Sequence, residues 1–456
     1  MINGDVSFWY REVGIPTAHE PLIGTVDADV CIVGAGFTGL WTAYYLKQAQ
    51  PSLRIVILEQ HFSGYGASGR NGGWLSGLMP GLRGQYEQVN GRDAVLAMQS
   101  QMNVTVDEVI AVAKREGIDA DIIKGGMLQV ARSRAQLDRL KSSVVEEHRW
   151  NVKECLELSQ QETAERIRIH GALGGMYLPQ CARIQPAKLV QGLAQVVRSL
   201  GVTIYENTTV TEIRPGVALT GSGSVHAKYV LRATEGFTAG ISGLKRSWLP
   251  MNSSIIATEP LSNEQWGQIG WEKYETLGDC AHAYIYAQRT ADGRIAIGGR
   301  GVPYRYGSRT DSDGRTHKKT VVALREILVS MFPILSGTTI DHAWSGVLGV
   351  PRDWCATVGL NPKTGLGWAG GYVGNGVTGT NLAGRTLRDL LLERDSELVA
   401  MPWVNRRVRT WEPEPLRWLG VRSLYVAYRY ADHREQFRNG QTSVVAKIAD
   451  KISGRH

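Results

Sequence analysis

The 456-residue chain carries 43% apolar residues and 53 glycines, a composition that excludes a disordered or fibrous protein and leaves room for two or three cored, turn-rich folding units. Its 51 basic and 43 acidic residues leave a net charge of +8, yet the signs are interleaved; no polybasic block marks a nucleic-acid partner, and the surplus is a mild bias toward acidic small molecules. Five cysteines (Cys31, Cys155, Cys181, Cys280, Cys355) are odd in number and form no CxxC pair, which argues against a disulfide framework or a thiolate metal site and suits a reducing cytoplasm.

The opening stretch, Met1 to Gly14, has no basic segment leading into an apolar one, so no secretory signal is read there. The uncharged run Val30 to Leu46 is 17 residues long and holds three glycines, too short and too glycine-rich for a membrane span.

Asp29 to Leu58 reads instead as one strand–helix–strand unit: a strand Val30–Val33, a turn Gly34-Ala35-Gly36-Phe37-Thr38-Gly39, a helix Thr38–Gln48, and a second strand Ile55–Leu58 ending at Glu59. In such a turn Gly34 makes the sharp reversal, Gly36 lets backbone approach a pyrophosphate, and Gly39 lets helix and strand pack closely. The helix start adds unpaired N–H groups and a positive dipole end. Glu59 stands 20 residues beyond Gly39, the spacing at which a carboxylate at a strand tip meets a ribose 2′-hydroxyl. Together these predict dinucleotide binding.

A second glycine-rich loop, Gly64-Tyr65-Gly66-Ala67-Ser68-Gly69-Arg70-Asn71-Gly72-Gly73, follows at once. A nicotinamide dehydrogenase has no need of it. This loop resembles that of the D-amino-acid oxidase superfamily, particularly its gamma-glutamylputrescine oxidase branch. Two further segments resemble the same family in the same order: Tyr229 to Gly236, and Gly370 to Gly379. The resemblance runs from about residue 28 to 395 and implies an α/β fold, with a Rossmann-type FAD domain discontinuous in sequence and a substrate domain on a large mixed or antiparallel sheet. It divides the chain into 1–95, 165–240 and 336–395 (FAD), 96–164 and 241–335 (substrate), and a C-terminal helical extension, 396–456.

The resemblance also implies the residues around FAD. Gly34 to Gly39, Glu59 and Gln60 would hold the adenosine and pyrophosphate; Gly66, Ala67, Ser68, Arg70, Asn71, Gly72 and Gly73 would run beside the pyrophosphate and under the ring system. Val210, Ala233, Thr234 and Gly236 would close the adenosine side. Gly346, Gly374, Asn375, Gly376, Val377 and Thr378 would border the flavin, where a helix start favours the negative charge of the reduced ring.

The strand-like runs Ser253–Thr258, Ala283–Gln288 and Arg294–Gly298 would form a ceiling over the flavin. Alternation puts His282, Tyr284 and Tyr286 on one side, making them candidate substrate-facing residues. In the family's amino-acid oxidases an arginine gripping the substrate carboxylate follows a Trp-Ala-Gly-Leu run; the matching run here, Trp344-Ser345-Gly346-Val347-Leu348, puts Leu348 at that position. A carboxylate without a bidentate partner binds poorly. A secondary or N-substituted amine is therefore preferred over an α-amino acid, oxidised by hydride transfer to the flavin and hydrolysis of the imine, with O2 or another electron acceptor left open.

Arg352-Asp353 reads as structural. Ala343 falls at the position of the cysteine that tethers flavin in sarcosine oxidases, so FAD is expected to be non-covalent, with Cys355 and His61 as fallback tethers. Ala296 falls where those oxidases place an oxygen-activating lysine. His170, His226, His317 and His342 are isolated, and no metal-binding motif is present. The tail 394–438, with nine arginines, six acids and several aromatics, is expected to pack as a helix on the FAD domain, with a membrane-surface helix or a homo-oligomer contact as alternatives. A flavin amino-acid oxidase anchored by Arg300, or an inactive FAD-binding subunit, are the competing functions.

Overall fold

A computed structural model describes residues 1–299, 303–310, 313–437 and 443–453. An apolar run with no alternation makes a strand covered on both faces, and Val30–Val33 is buried throughout. It ends the strand Gly24–Val33, which pairs in parallel with Ile55–Leu58 on one side and Gly223–Arg232 on the other. Thr203–Tyr205 and Leu366–Gly370 extend the parallel array, and the whole sheet has eight strands. The helix Phe37–Ala49 crosses between the first two strands and is buried continuously from Phe37 to Lys47. It is covered by the helices Gly376–Leu391 and Pro186–Ser199.

A nine-stranded sheet forms the second layer, in the order Ile2–Asn3, Ile340–Val350, Leu249–Thr258, Ile295–Gly299, Tyr286–Arg289, Thr276–Asp279, Met127–Ala131, Gly174–Leu178, Leu156–Leu158. Most neighbours are antiparallel, with parallel pairs at Ile2–Asn3 and between Met127–Ala131 and Thr276–Asp279. Residues directly opposite across an antiparallel pair share a face. Met251 therefore stands beside Leu348, Ser253 beside Gly346, and Tyr286 beside Gly298.

Chain segments are shared between the layers differently from the sequence reading. Gly174–Leu178 and Ile340–Val350, assigned to the FAD unit, pair in the nine-stranded sheet. The helix Arg92–Arg115, largely assigned to the substrate unit, sends Val106, Val109 and Val112 into the core against the eight-stranded sheet. An apolar strand announces that it is buried but not against what, so these boundaries had no local signature. The tail is helical, Leu416–Phe437 and Val444–Ser453, but it covers the end of the nine-stranded sheet: Trp411, Val421 and Tyr425 pack on Leu249, Met251 and Val350. Arg438, the last arginine of that stretch, lies outside the described residues.

No helix among the described residues is long and apolar enough to cross a membrane. All five cysteines are unpaired.

Candidate active site

The first glycine turn is built as its residue types require. Gly34 has φ +107° and lies so close to Ala233 that a Cβ would meet its carbonyl oxygen at 2.6 Å. A Cβ on Gly39 would collide with the Gly34 carbonyl. The helix begins at Gly36, which supplies no side-chain cap; instead Ser68 of the second glycine loop accepts the Phe37 N–H at 2.8 Å. Glu59 reaches back to accept the Ala35 N–H at 2.8 Å, and its other oxygen takes the His61 N–H at 3.1 Å. Burial pushes the Glu59 carboxyl up to about 7, against the lowering by these backbone bonds.

One cavity is lined from all the segments matched to the cofactor in the sequence, though by none of the ceiling runs Ser253–Thr258, Ala283–Gln288 and Arg294–Gly298. Gly34, Gly36, Phe37, Thr38, Glu59 and Gln60 line it from the first turn and strand tip; Gly66, Ala67, Ser68 and Asn71 from the second loop; Val210 from its strand, and Ala233 and Thr234 from the turn after Gly223–Arg232; and Gly374, Gly376 and Val377 from the C-terminal loop. The other residues expected at the cofactor stand behind this surface. Ala35 and Gly39 shape the turn. Arg70 is buried, donating to the carbonyls of Tyr65 and Ser345, because its loop tucks the side chain under the strand Ile340–Val350 rather than into the cavity. Gly72 lies under the Tyr286 ring, Gly73 beside Gln288, Gly236 beside Val347 and Gly346 beside Arg70. Asn375 bonds the Met79 carbonyl at 3.0 Å. The Thr378 hydroxyl is buried and has no partner among the described residues.

Glu235 and Tyr372 line the cavity too, and neither was among the expected site residues. Glu235 has φ 42° and accepts backbone N–H groups from Gly349, Tyr372 and Gly371, tying the Ala233–Gly236 turn to the C-terminal loop. Burial raises its carboxyl to about 7. The Tyr372 hydroxyl pairs with Thr38 at 3.0 Å, linking that loop to the first helix. An acid between Thr234 and Gly236, in a turn otherwise free of charge, was the available signal for Glu235.

The model of the DAO family, described as FAD dependent oxidoreductase, matches residues 29–390. The chain belongs to the DAO family. It is an FAD-dependent oxidoreductase. It is 31% identical to the gamma-glutamylputrescine oxidoreductase of Escherichia coli over 401 residues, 86% of this chain and 90% of the relative. Glycine oxidase from Geobacillus kaustophilus shares its fold with a TM-score of 0.70, at 21% identity over 84% of this chain and 99% of that one. L-proline dehydrogenase from P. horikoshii gives 0.67 at 17% identity, over 83% and 98%.

FAD suits the residues this DAO-family chain provides. Two helix starts, at Gly36 and Asn375, lack side-chain caps and meet one cavity, which offers their N–H groups to anionic atoms. Glycines keep the turn open.

Leu348 lines the same cavity. Tyr286 lies across Gly298 and against Gly72, its hydroxyl 2.9 Å from Ser253 Oγ, and Gln288 donates to the Gly72 carbonyl at 2.8 Å. His282 is a correction. The strand begins at Tyr286, so alternation does not carry back to Tyr284 or His282; His282 sits in a turn, with Nε2 2.9 Å from Glu435 of the tail helix. His282, Asp432 and Glu435 bring ligand-type atoms within 4.8 Å of one another, unforeseen in the sequence, but Glu435 already pairs with Arg139 at 2.8 Å. Ala296 and Ala343 are buried in apolar clusters. Cys355 is buried beside Leu82 and does not line the cavity, whereas His61 does. Arg352 pairs with Glu412 and Asp353 with Arg406. Arg300 lies outside the described residues.

Proposed function

We propose that this oxidoreductase oxidises the C–N bond of an amine, with FAD held non-covalently. The observation that carries the reading is Leu348: an apolar side chain lines the cavity where the family's amino-acid oxidases place a carboxylate-gripping arginine. The relationship to a gamma-glutamylputrescine oxidoreductase, whose name specifies an N-acylated polyamine, supports the same substrate class.

When bound, FAD supplies the acceptor for a hydride from the carbon next to nitrogen, leaving an imine that water hydrolyses to a carbonyl compound and an amine. The chain's own contribution is position and environment. Glu59 would accept from the ribose, and the helix starts at Gly36 and Gly376 would face the pyrophosphate and the flavin's pyrimidine edge. Tyr286 and Gln288 hold the Asn71–Gly73 loop against the ceiling strands. Leu348 and the aromatic residues behind it favour the neutral amine over its ammonium form, and only the neutral form can give up hydride.

The test is an anaerobic absorbance titration of the purified protein with polyamines, N-acylated diamines, secondary amines and amino acids. Bleaching of the oxidised-flavin band by amines but not amino acids is the expected result. Bleaching by amino acids alone would overturn the reading.

A further inference from the structure

Beneath the tail helix Leu416–Phe437 lies a second cavity of about 130 Å³, lined mostly by apolar side chains, among them Leu249 and Met251 of the ceiling, Trp354 and Trp411, and Val421 and Tyr425 of the helix, and also by Arg352, Glu412 and Arg417. Protein interiors contain few voids larger than a water molecule. An apolar cavity of about 150 Å³ stays dry and accepts benzene, so this space is ring-sized. The helix that forms one wall lies beyond residue 390, where the family match ends.

Two observations tie this space to a ligand. It adjoins the site already described: Leu348, directly opposite Met251, lines the larger cavity and packs against the same aromatic cluster, as does Val373 of the Gly370–Gly379 loop. Tyr425, 6% exposed, lines this space and also a separate polar cavity, and its buried hydroxyl has no hydrogen-bond partner among the described residues. A buried hydroxyl left unpaired is costly, and a ligand atom would satisfy it.

We propose that this cavity is a second compartment of the substrate site, taking a ring-sized apolar substituent with one hydrogen-bonding group on the amine oxidised beside Leu348. The proposal rests on the amine reading. The amines it selects are arylalkylamines with a ring hydroxyl, in preference to unsubstituted diamines.

The experiment uses the FAD-loaded enzyme and has two arms. In the first, phenol and benzene are titrated while the fluorescence of Trp354 and Trp411 and the melting temperature are followed. Phenol should bind about fivefold tighter than benzene, the effect of one hydrogen bond. Tyr425→Phe should erase that difference without unfolding the chain, and Val421→Phe, which fills the space, should abolish both. In the second arm, tyramine should reduce the flavin at lower concentration than phenethylamine or putrescine, and phenol should compete with tyramine. Absence of phenol binding, or phenol binding unaffected by both variants, overturns the proposal whatever amines do. Phenol binding that does not compete with a reducing amine overturns the link to the substrate site. If no amine reduces the flavin, the amine reading fails, and with it this compartment's substrate role, while the phenol arm still decides whether the cavity takes a ring.

Discussion

The Glu235 carboxylate accepts the Gly349 N–H at 2.9 Å, joining the turn after Gly223–Arg232 to the strand that carries Leu348. With Tyr372 and Gly371 also donating to it, one buried acid ties three chain segments together at the wall of the cavity. Glu235→Gln keeps one acceptor oxygen but turns an NH2 group toward backbone N–H donors that the second oxygen had satisfied, and should destabilise the protein by about 1–3 kcal/mol.

The pH dependence of that loss has a definite sign. Burial raises the Glu235 carboxyl to about 7, so its favourable contribution is full below the ordinary carboxylate range and is lost as pH rises through 7. Thermal melts of wild type should therefore fall more steeply from pH 5 to pH 8 than those of Glu235→Gln. Parallel curves would show that Glu235 does not titrate in that window.

Glu59 predicts the opposite trend for cofactor binding. Its carboxyl is raised to about 7 by burial, while ribose hydroxyls donating to it would favour the ionised form. FAD affinity should then rise with pH up to about 7, by at most about tenfold per unit, and level off above it. Fluorescence titration of flavin-stripped protein from pH 5.5 to 8.5 measures this. Glu59→Gln should bind more weakly with no such slope, and affinity that fell with pH would remove Glu59 from the ribose.

These two acids mark what was legible in the sequence. Glu59 was, because the turn Gly34–Gly39 and the strand behind it form a local unit whose spacing is dictated by backbone geometry. Glu235 was not, because its partners Gly349 and Tyr372 lie over a hundred residues away and meet it only through the fold. The ceiling shows the same limit. Tyr286 is in register with Gly298, but the strand starts too late for alternation to include His282, and the partner that claims His282 comes from a tail helix no local pattern connects to it.

That difference can be measured. Tyr286→Phe removes one hydrogen bond to Ser253 and keeps the ring against Gly72, so kcat/KM should change by less than about fivefold. Tyr286→Ala empties that space and should lower kcat and shift the flavin spectrum. His282→Ala should lower the melting temperature, since it breaks a contact with Glu435, and leave the spectrum and kcat with a small amine unchanged. A kcat effect from His282→Ala as large as that from Tyr286→Ala would return His282 to the substrate site.

Leu348→Arg tests the substrate class directly. The residue sits on the cavity wall beside Met251, and a guanidinium there would present the bidentate grip that carboxylates require. It would also bring a fixed positive charge next to the bound amine, favouring repulsion of any protonated substrate and a more polar lining. Amine kcat/KM should fall at least tenfold, while simple amino acids, inert with wild type, should begin to reduce the flavin. Retained flavin absorbance separates this outcome from misfolding caused by a buried charge. If the variant binds FAD, keeps its amine activity and gains no response to amino acids, position 348 does not face the substrate and the argument from Leu348 to an amine falls.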